Sequence, residues 1–147
     1  MSALITNFDL LRELRGAFGP WCSIEPGRPA YVVMPMSWLK AKLKDSRLDR
    51  VKWREALDRE DQQEFVCTSF AKLLDGWLEQ ERLRDGIVRP HAVGRLTFSH
   101  AGGRHRVNWA FTGEGLRIIE PQTDAVMGLM KAHQVWHEFQ AEDCDVE

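Results

Sequence analysis

The sequence predicts an α+β domain in which a central helix packs on an antiparallel sheet. Three observations support this: apolar residues recur at helical spacing over 62–83, three later segments alternate apolar and polar residues, and helical spacing returns afterwards. Helices followed by consecutive strands are typical of α+β architecture. A chain of 147 residues is long enough for one core, so we expect a single domain over 1–147.

The N-terminal part, about residues 1–60, is predicted to be mainly helical. Asn7 can cap a helix over 7–18, and a Gly-Pro pair ends that helix. After an irregular connector, "YVVM" has the composition of a short buried strand. Ser37 can cap a second helix, and a third helical stretch is predicted over 47–59.

The helix over 62–83 is predicted to be central, because its apolar stripe is wide. Its apolar positions, mostly three or four residues apart, are Phe65, Val66, Phe70, Leu73, Leu74, Trp77 and Leu78. Gly76 is a mild liability within this helix, and it suggests a point of close packing.

After this helix the hydrophobic period changes from about 3.6 to about 2. "AVGRLTFS", "HRVNWAFT" and "LRIIEPQ" are predicted as three strands of an antiparallel meander. "DAVMGLMKAHQVWHEF" returns to helical spacing, so residues 124–147 are predicted as a C-terminal helix and a frayed acidic tail. Cys144 would lie in that mobile tail.

The register of the predicted hairpin brings polar groups to the open end of an apolar face. A turn centred on Gly113 and Glu114 sets the pairing. Counted outward, the ladder gives the following pairs: Phe111–Leu116, Trp109–Ile118, Val107–Glu120 and His105–Gln122. Because side chains alternate, these residues share one core-facing side, and Asn108 is expected on the opposite, solvated side.

His105 and Glu120 allow two interpretations. A carboxylate among apolar groups is costly unless it is paired, and a neighbouring imidazole removes that cost. The same pairing orients a catalytic histidine and stabilises its charged form. The alternative is a satisfied polar pair at the edge of the sheet, without a chemical role.

Cys67 lies near the predicted start of the central helix. If that helix begins at Cys67 rather than Gln62, the thiol faces the positive end of the helix dipole, which favours the nucleophilic thiolate. Thr68 and Ser69 are poor residues for a helix interior but good caps, which supports the later start. The alternative is an inert core thiol.

Charge and composition exclude several classes of protein. Twenty Lys and Arg residues against 22 Asp and Glu give a net charge of −2, so we expect neither nucleic acid nor anionic membrane as a partner. The sequence has no signal-peptide pattern and no apolar stretch of ~20 residues. Three cysteines without a CxxC motif favour a reducing compartment, so we expect a cytoplasmic protein without a zinc site.

Two strings, "CTSFAKLL" and "AVGRLTFSHAGGRHRVNWAFTGEGLRIIEPQTD", resemble a set of small phage and prophage proteins. Their layout is similar to the papain-like C-terminal cysteine protease domain of a mushroom agglutinin. The resemblance covers about residues 60–125, with "IEPQTD" as its most specific part. It implies a papain-like core over about 61–125.

The resemblance also implies roles for individual residues. Cys67 would be the nucleophile, His105 the general base and acid, and Glu120 the group that orients His105. Gln122 would be a further polar member of the site. The order cysteine, histidine, polar orienter agrees with the hairpin register described above.

The sequence departs from the family pattern at three points, of which the first is the histidine strand, which here reads His105-Arg106-Val107-Asn108. Thr68 and Ser69 replace two acids that accompany calcium dependence in the agglutinin, and a hard cation needs several oxygen ligands, so no calcium or other cofactor is expected. The family's upstream tryptophan has no counterpart. Gln62 or Gln63 could donate an amide to an oxyanion, although either could equally be a solvated helix residue.

Two functions remain open at this point. The first is a cysteine hydrolase, a peptidase or isopeptidase that acts on a protein or peptide through an acyl-enzyme on Cys67. The second is an inactive papain-like scaffold, a phage-encoded module that binds or inhibits a host protein. Its contact surfaces would be the arginine cluster over 82–106 and the acidic C-terminus. The sequence leaves the oligomeric state open.

Overall fold

A computed structural model describes residues 3–22, 28–48 and 63–146, with only the backbone for 63–66. The described residues form four helices and seven strands, which confirms the predicted α+β class. In chain order they are β1 Leu4–Thr6, α1 Asn7–Phe18, β2 Ala30–Val32, α2 Met36–Ser46, α3 Gln63–Arg84, β3 Val93–His100, β4 Gly103–Thr112, β5 Gly115–Glu120, β6 Ala125–Met127, α4 Leu129–Val135 and β7 Gln140–Val146.

A five-stranded antiparallel sheet has the order β6-β5-β4-β3-β7. The predicted meander forms its middle, since β4 pairs with both β3 and β5. β7 adds to the outer edge of β3, where Cys144 lies opposite Leu96. The end of the chain therefore returns to the first strand of the meander. β1 and β2 form a separate two-stranded sheet.

The large sheet carries an apolar cluster on each face. One cluster joins the sheet to α1, through Leu10, Leu14, Phe18, Val107, Trp109 and Ile118. The other joins it to α2 and α3, through Leu39, Leu43, Phe70, Leu74, Leu78, Ala110 and Ile119. Neighbouring residues of β4 thus enter opposite clusters, as strand geometry requires. α3 is central, as its wide apolar stripe predicts.

The structure corrects several local predictions in the first half of the chain. Thr6, not Asn7, caps α1, because the Thr6 hydroxyl accepts from the backbone N–H of Asp9 at 3.1 Å. α2 begins at Met36, so Ser37 lies inside its first turn.

Two further predictions concern the segment between α2 and the middle of α3. Arg47 adopts a left-handed conformation and ends α2, and residues 49–59 of the predicted third helix lie outside the described residues. A Cβ placed on Gly76 would meet nothing within 4 Å, so the prediction of close packing there is wrong.

The prediction of a helix and a mobile tail over 124–147 is also largely wrong. Helical structure is confined to α4, and strands β6 and β7 occupy the segments on either side of it. Cys144 and Val146 are buried, while the residues between and before them are more exposed. This alternation is that of a strand, and β3 supplies the hydrogen-bonding partner that makes it one.

Two arginines of the cluster that was predicted as one contact surface pair with the acidic C-terminal segment that was predicted as the other. Arg104 donates to Glu142 of β7 at 2.9 Å, and Arg95 pairs with Asp145 at 3.4 Å. Arg82 is buried and donates to two carbonyl oxygens of the segment after α3, those of Ile87 at 2.8 Å and Val88 at 2.9 Å. These charges are therefore engaged within the chain.

Trp109 fixes β7 to the sheet. Its indole N–H donates to the carbonyl oxygen of Asp145 at 2.9 Å, and its ring covers Gly94 of β3. A Cβ on Gly94 would lie 1.9 Å from that same oxygen and 2.8 Å from the indole ring. Only glycine fits where β3, β7 and the indole meet.

We expect Gly94→Ala to lower the free energy of unfolding by about 1–3 kcal/mol or more, because the added methyl overlaps backbone and a buried ring. Gly113→Ala is the matched control, since a Cβ there meets nothing within 4 Å. Urea unfolding followed by tryptophan fluorescence measures both variants. Equal urea midpoints for Gly94→Ala and Gly113→Ala would contradict the packing of Trp109 against Gly94.

Candidate active site

The site lies where β5 separates from β4. Pairing between these strands runs only from Asn108–Ile119 to Thr112–Gly115, although β4 begins at Gly103. The predicted pairs Phe111–Leu116 and Trp109–Ile118 are confirmed. The two outer predicted pairs, Val107–Glu120 and His105–Gln122, fall beyond the ladder, whose last pair is Asn108–Ile119. The first half of β4 therefore faces the turn that follows β5 and the N-terminal part of α3.

His105 connects a thiol and a carboxylate at this position. Its Nδ1 lies 2.9 Å from Sγ of Cys67, and its Nε2 lies 2.5 Å from Oε2 of Glu120. The side chains of His105 and Glu120 are 11% and 10% exposed, and Cys67 is 4% exposed. One imidazole thus bridges helix α3 and the end of β5 in a largely dry setting.

Gln122 joins the same cluster from the turn after β5. Its side-chain Nε2 donates to Sγ of Cys67 at 3.5 Å, and its backbone N–H donates to Oε1 of Glu120 at 3.3 Å. The turn closes on itself, because the backbone N–H of Thr123 donates to the carbonyl oxygen of Glu120 at 3.2 Å. The four residues singled out in the sequence are therefore neighbours in space.

The imidazole of His105 holds its proton more strongly than a free histidine does. Burial lowers its pKa, but the hydrogen bonds to Cys67 and Glu120, together with the charge of Glu120, outweigh burial and raise the pKa to about 9. The ring is therefore charged at neutral pH and donates from both nitrogens. Burial and the nearby charge of His105 lower the pKa of His100.

Two aromatic side chains enclose the His105 ring. Phe98 of β3 meets it edge-on, with ring centroids 5.5 Å apart and an interplanar angle of 87°. Trp136, directly after α4, lies 5.4 Å away at 44°. Apolar walls of this kind lower the local dielectric and strengthen the hydrogen bonds inside them. Neither residue can be recognised from the sequence, because its proximity to His105 depends on how β3 and α4 pack.

Asn108 positions α3 relative to β4. Its side-chain Nδ2 donates to the carbonyl oxygen of Ala71 at 3.0 Å and to Oδ1 of Asp75 at 2.8 Å. The expectation that Asn108 is solvated is wrong: it is fully buried beneath α3. Ala71 lies one helical turn after Cys67. The contact with Asn108 therefore fixes the position of Cys67 along the direction of β4.

The start of α3 decides which activation of Cys67 is possible. α3 begins by Gln63, so Cys67 lies in its second turn and the later start at Cys67 is wrong. Thr68 and Ser69 are accordingly interior residues of the helix, not caps. Gln62 lies outside the described residues, and of Gln63 only the backbone is described, so their roles as oxyanion donors stay predictions.

Two absences hold for the described part of the chain. Among residues 3–22, 28–48 and 63–146, no group of three or more His, Cys, Asp or Glu side chains could hold a metal ion. Across the same ranges, no helix has both the length and the apolar character needed to cross a membrane.

Two solved structures have a similar fold. The Polyporus squamosus lectin bound to the human-type influenza-binding epitope Neu5Acα2-6Galβ1-4GlcNAc matches with a TM-score of 0.76 at 16% identity, over 97% of this chain and 49% of the lectin. PSL1a in complex with E64 matches with a TM-score of 0.71 at 16% identity, over 97% and 51%. The chain spans about half the length of these structures.

These matches confirm the predicted likeness to a mushroom agglutinin at the level of the fold. No protein-family model matches the sequence, and no curated protein matches it either. The molecule is thus an α+β protein of the fold found in part of these lectins, with a cysteine, a histidine and a glutamate in one hydrogen-bonded row.

We expect the ring of His105 to titrate near pH 9, because the folded protein stabilises the charged imidazole. Glu120→Gln removes one hydrogen-bonded anion, so the midpoint should move to lower pH. Titration of the ring protons by NMR measures both values. Glu114→Gln, in the exposed turn, is the control that should leave the midpoint unchanged. A midpoint near the ~6.5 of free histidine in the parent protein would contradict the geometry.

Proposed function

We propose that this chain is a papain-like cysteine hydrolase, a peptidase or isopeptidase that works through an acyl-enzyme on Cys67. The observation that carries the proposal is the continuous row of hydrogen bonds from Cys67 through His105 to Glu120. α3, β4 and β5 each supply one member. Nucleophilic catalysis requires a nucleophile within hydrogen-bond reach of a base, and a third group that orients the base.

The charge state of His105 supports a nucleophilic sulfur. A doubly protonated ring donates one N–H to Glu120 and the other to Sγ of Cys67. The sulfur that best accepts from a cation is the thiolate, which is also the reactive form of cysteine. Glu120 balances the ring's charge and fixes its orientation. The sulfur of Cys67 therefore faces a charged imidazole that the carboxylate of Glu120 orients.

Acylation follows from these positions. The Cys67 thiolate attacks the carbonyl carbon of the substrate, and a C–S bond forms while the carbonyl oxygen takes the negative charge. His105 gives its Nδ1 proton to the leaving nitrogen, the C–N bond breaks, and the amine departs. The Gln122 amide, 3.5 Å from Sγ, is placed to donate to the oxyanion.

Deacylation reverses the roles of the same groups. Neutral His105 takes a proton from water as the water oxygen attacks the thioester carbon. The C–S bond then breaks, the carboxylic acid product leaves, and His105 and Cys67 recover the charged pair. Glu120 accepts from the ring and stabilises the imidazolium each time it forms. No metal ion enters any of these steps.

One structural neighbour suggests a reagent. PSL1a was solved in complex with E64. The shared fold makes this compound a reasonable probe for Cys67. The proposal implies a protein or a peptide as the substrate. The phage origin that the sequence resemblance implies is also part of the proposal.

The first test is the rate at which iodoacetamide labels Cys67 at pH 6 and at pH 8, resolved by peptide mass mapping. We expect rapid labelling even at pH 6, where a free thiol with a pKa of ~8.5 is almost wholly protonated. His105→Ala should slow labelling at pH 6 by about tenfold or more, because the cation that holds the thiolate is lost. Cys144 serves as an internal buried reference.

His100→Ala is the matched variant for this test. It removes a neighbouring ring, 6.2 Å from that of His105, without touching the thiol contact. Labelling of Cys67 should be unchanged in this variant. Equal rates in the parent and His105→Ala would show that the thiol is structural, and would end the hydrolase proposal.

The second test is hydrolysis of a peptide library, with new chain termini read by mass spectrometry and with E64 as inhibitor. We expect Cys67→Ala to abolish cleavage and His105→Ala to lower kcat/KM by about 10²–10⁴-fold. Glu120→Gln should lower kcat more than it raises KM, since Glu120 contacts the ring and not the substrate. Cleavage that persists in Cys67→Ala would show that the activity belongs to another protein.

The inactive scaffold stays the second candidate because of one observation, the low exposure of Cys67, at 4%. Labelled Cys67 without any cleavage would favour this alternative, in which the chain binds a protein without cutting it. Within the contact surfaces predicted for that purpose, Arg95 and Arg104 already pair with Asp145 and Glu142 of β7.

A further inference from the structure

Two cysteines that the proposed reaction does not use lie side by side. Cys22, which follows α1, forms an isolated parallel β-bridge with Cys144 of β7. They are 2% and 1% exposed, and both belong to the apolar cluster on the α1 face of the sheet. Both thiols are free in this structure. The bridge joins the residue at the end of the described segment after α1 to the C-terminal strand.

The backbone geometry of this pair suits a disulfide. Neighbouring strands lie about 4.7–4.9 Å apart, and disulfides span Cα distances of about 4.4–6.8 Å. The shared apolar cluster shows that both side chains point to the same side of the sheet. A hydrogen bond between the two thiols, followed by burial, raises the pKa of Cys144.

We propose that Cys22 and Cys144 are a reversible disulfide site that fastens the C-terminal strand to the segment after α1. The oxidant is a peroxide, a molecule small enough to reach thiols at this depth. Cys22 is the entry point, because it directly follows exposed Trp21. This proposal is independent of the hydrolase mechanism.

The oxidation takes place in two steps. The Cys22 thiolate attacks one oxygen of hydrogen peroxide, the O–O bond breaks, and the hydroxide that leaves takes a proton to become water. The resulting sulfenic acid is attacked by the sulfur of Cys144, the S–O bond breaks, and a second water leaves. The two sulfurs lose two electrons and the peroxide gains them. A dithiol reverses the bond by thiol–disulfide exchange.

A bond here would close a loop from residue 22 to residue 144, which is most of the chain. Closing a long loop removes conformational freedom from the unfolded state, so the oxidised protein should be more stable than the reduced one. β7 also borders β3, which carries Phe98 against His105. The bond would therefore fix one wall of the candidate site.

The experiment uses Cys67→Ser, which leaves Cys22 and Cys144 as the remaining thiols of a chain that has three cysteines. Dilute protein is treated with hydrogen peroxide, and free thiols are then counted in denaturant. We expect both thiols to disappear together, one cross-linked peptide pair in the digest of a monomer, and recovery of both thiols with dithiothreitol. The thermal midpoint should rise on oxidation.

Cys67→Ser with Cys22→Ala is the matched control and should show neither the cross-link nor the rise in thermal midpoint. The same peptide mapping on the unsubstituted protein keeps the test independent of how well the variants fold.

Three outcomes would overturn the proposal: both thiols stay titratable at peroxide levels that oxidise them in the unfolded chain, the cross-link forms only between molecules, or sulfinic acids form instead. Because Cys67 is absent from the main variant, none of these outcomes bears on the hydrolase proposal.

Discussion

The buried amide of Asn108 holds the molecule's two main parts in one position. It donates to the carbonyl oxygen of Ala71 and to the carboxylate of Asp75, both on α3, from the middle of β4. A shift of the helix along the strand would leave these polar groups unpaired in the core, at a cost of about 1–3 kcal/mol for each group. Asp75 in turn pairs with Arg95 of β3 at 3.2 Å. The helix, its strand and the next strand are thus fixed together, and Cys67 stands at the height of His105.

Once α3 is fixed, the chemistry of the site follows from a balance between burial and pairing. Burial of His105 by itself favours a neutral ring, yet its neighbours are a thiol on one side and a carboxylate on the other. The hydrogen bonds and the charge of Glu120 outweigh burial, so His105 is a cation between two groups that can be anions. A charged ring in these surroundings would be costly if either partner were lost. This is why the register at the end of β5 matters as much as the cysteine itself.

Local sequence signals were reliable where a residue's neighbours along the chain decide its conformation. The turn at Gly113 and Glu114 fixed the hairpin register, and the long apolar stripe identified α3 as central. The same signals failed at the C-terminus. There, acidic residues alternate with Cys144 and Val146, a pattern that becomes a strand only because β3 offers an open edge and arginines to pair with. The acidic residues alone predicted a solvated tail, not a strand.

The sequence by itself therefore determined the α+β class, the register that puts His105 and Glu120 on one face, and the helix that carries Cys67. Alternation along a strand states which side chains share a face, but it does not state what covers that face. Only the tertiary structure decided that α3 buries Asn108, that Cys67 reaches His105 across 38 positions of sequence, and that Cys144 meets Cys22. These contacts join distant parts of the chain, and their geometry depends on packing that no local pattern encodes.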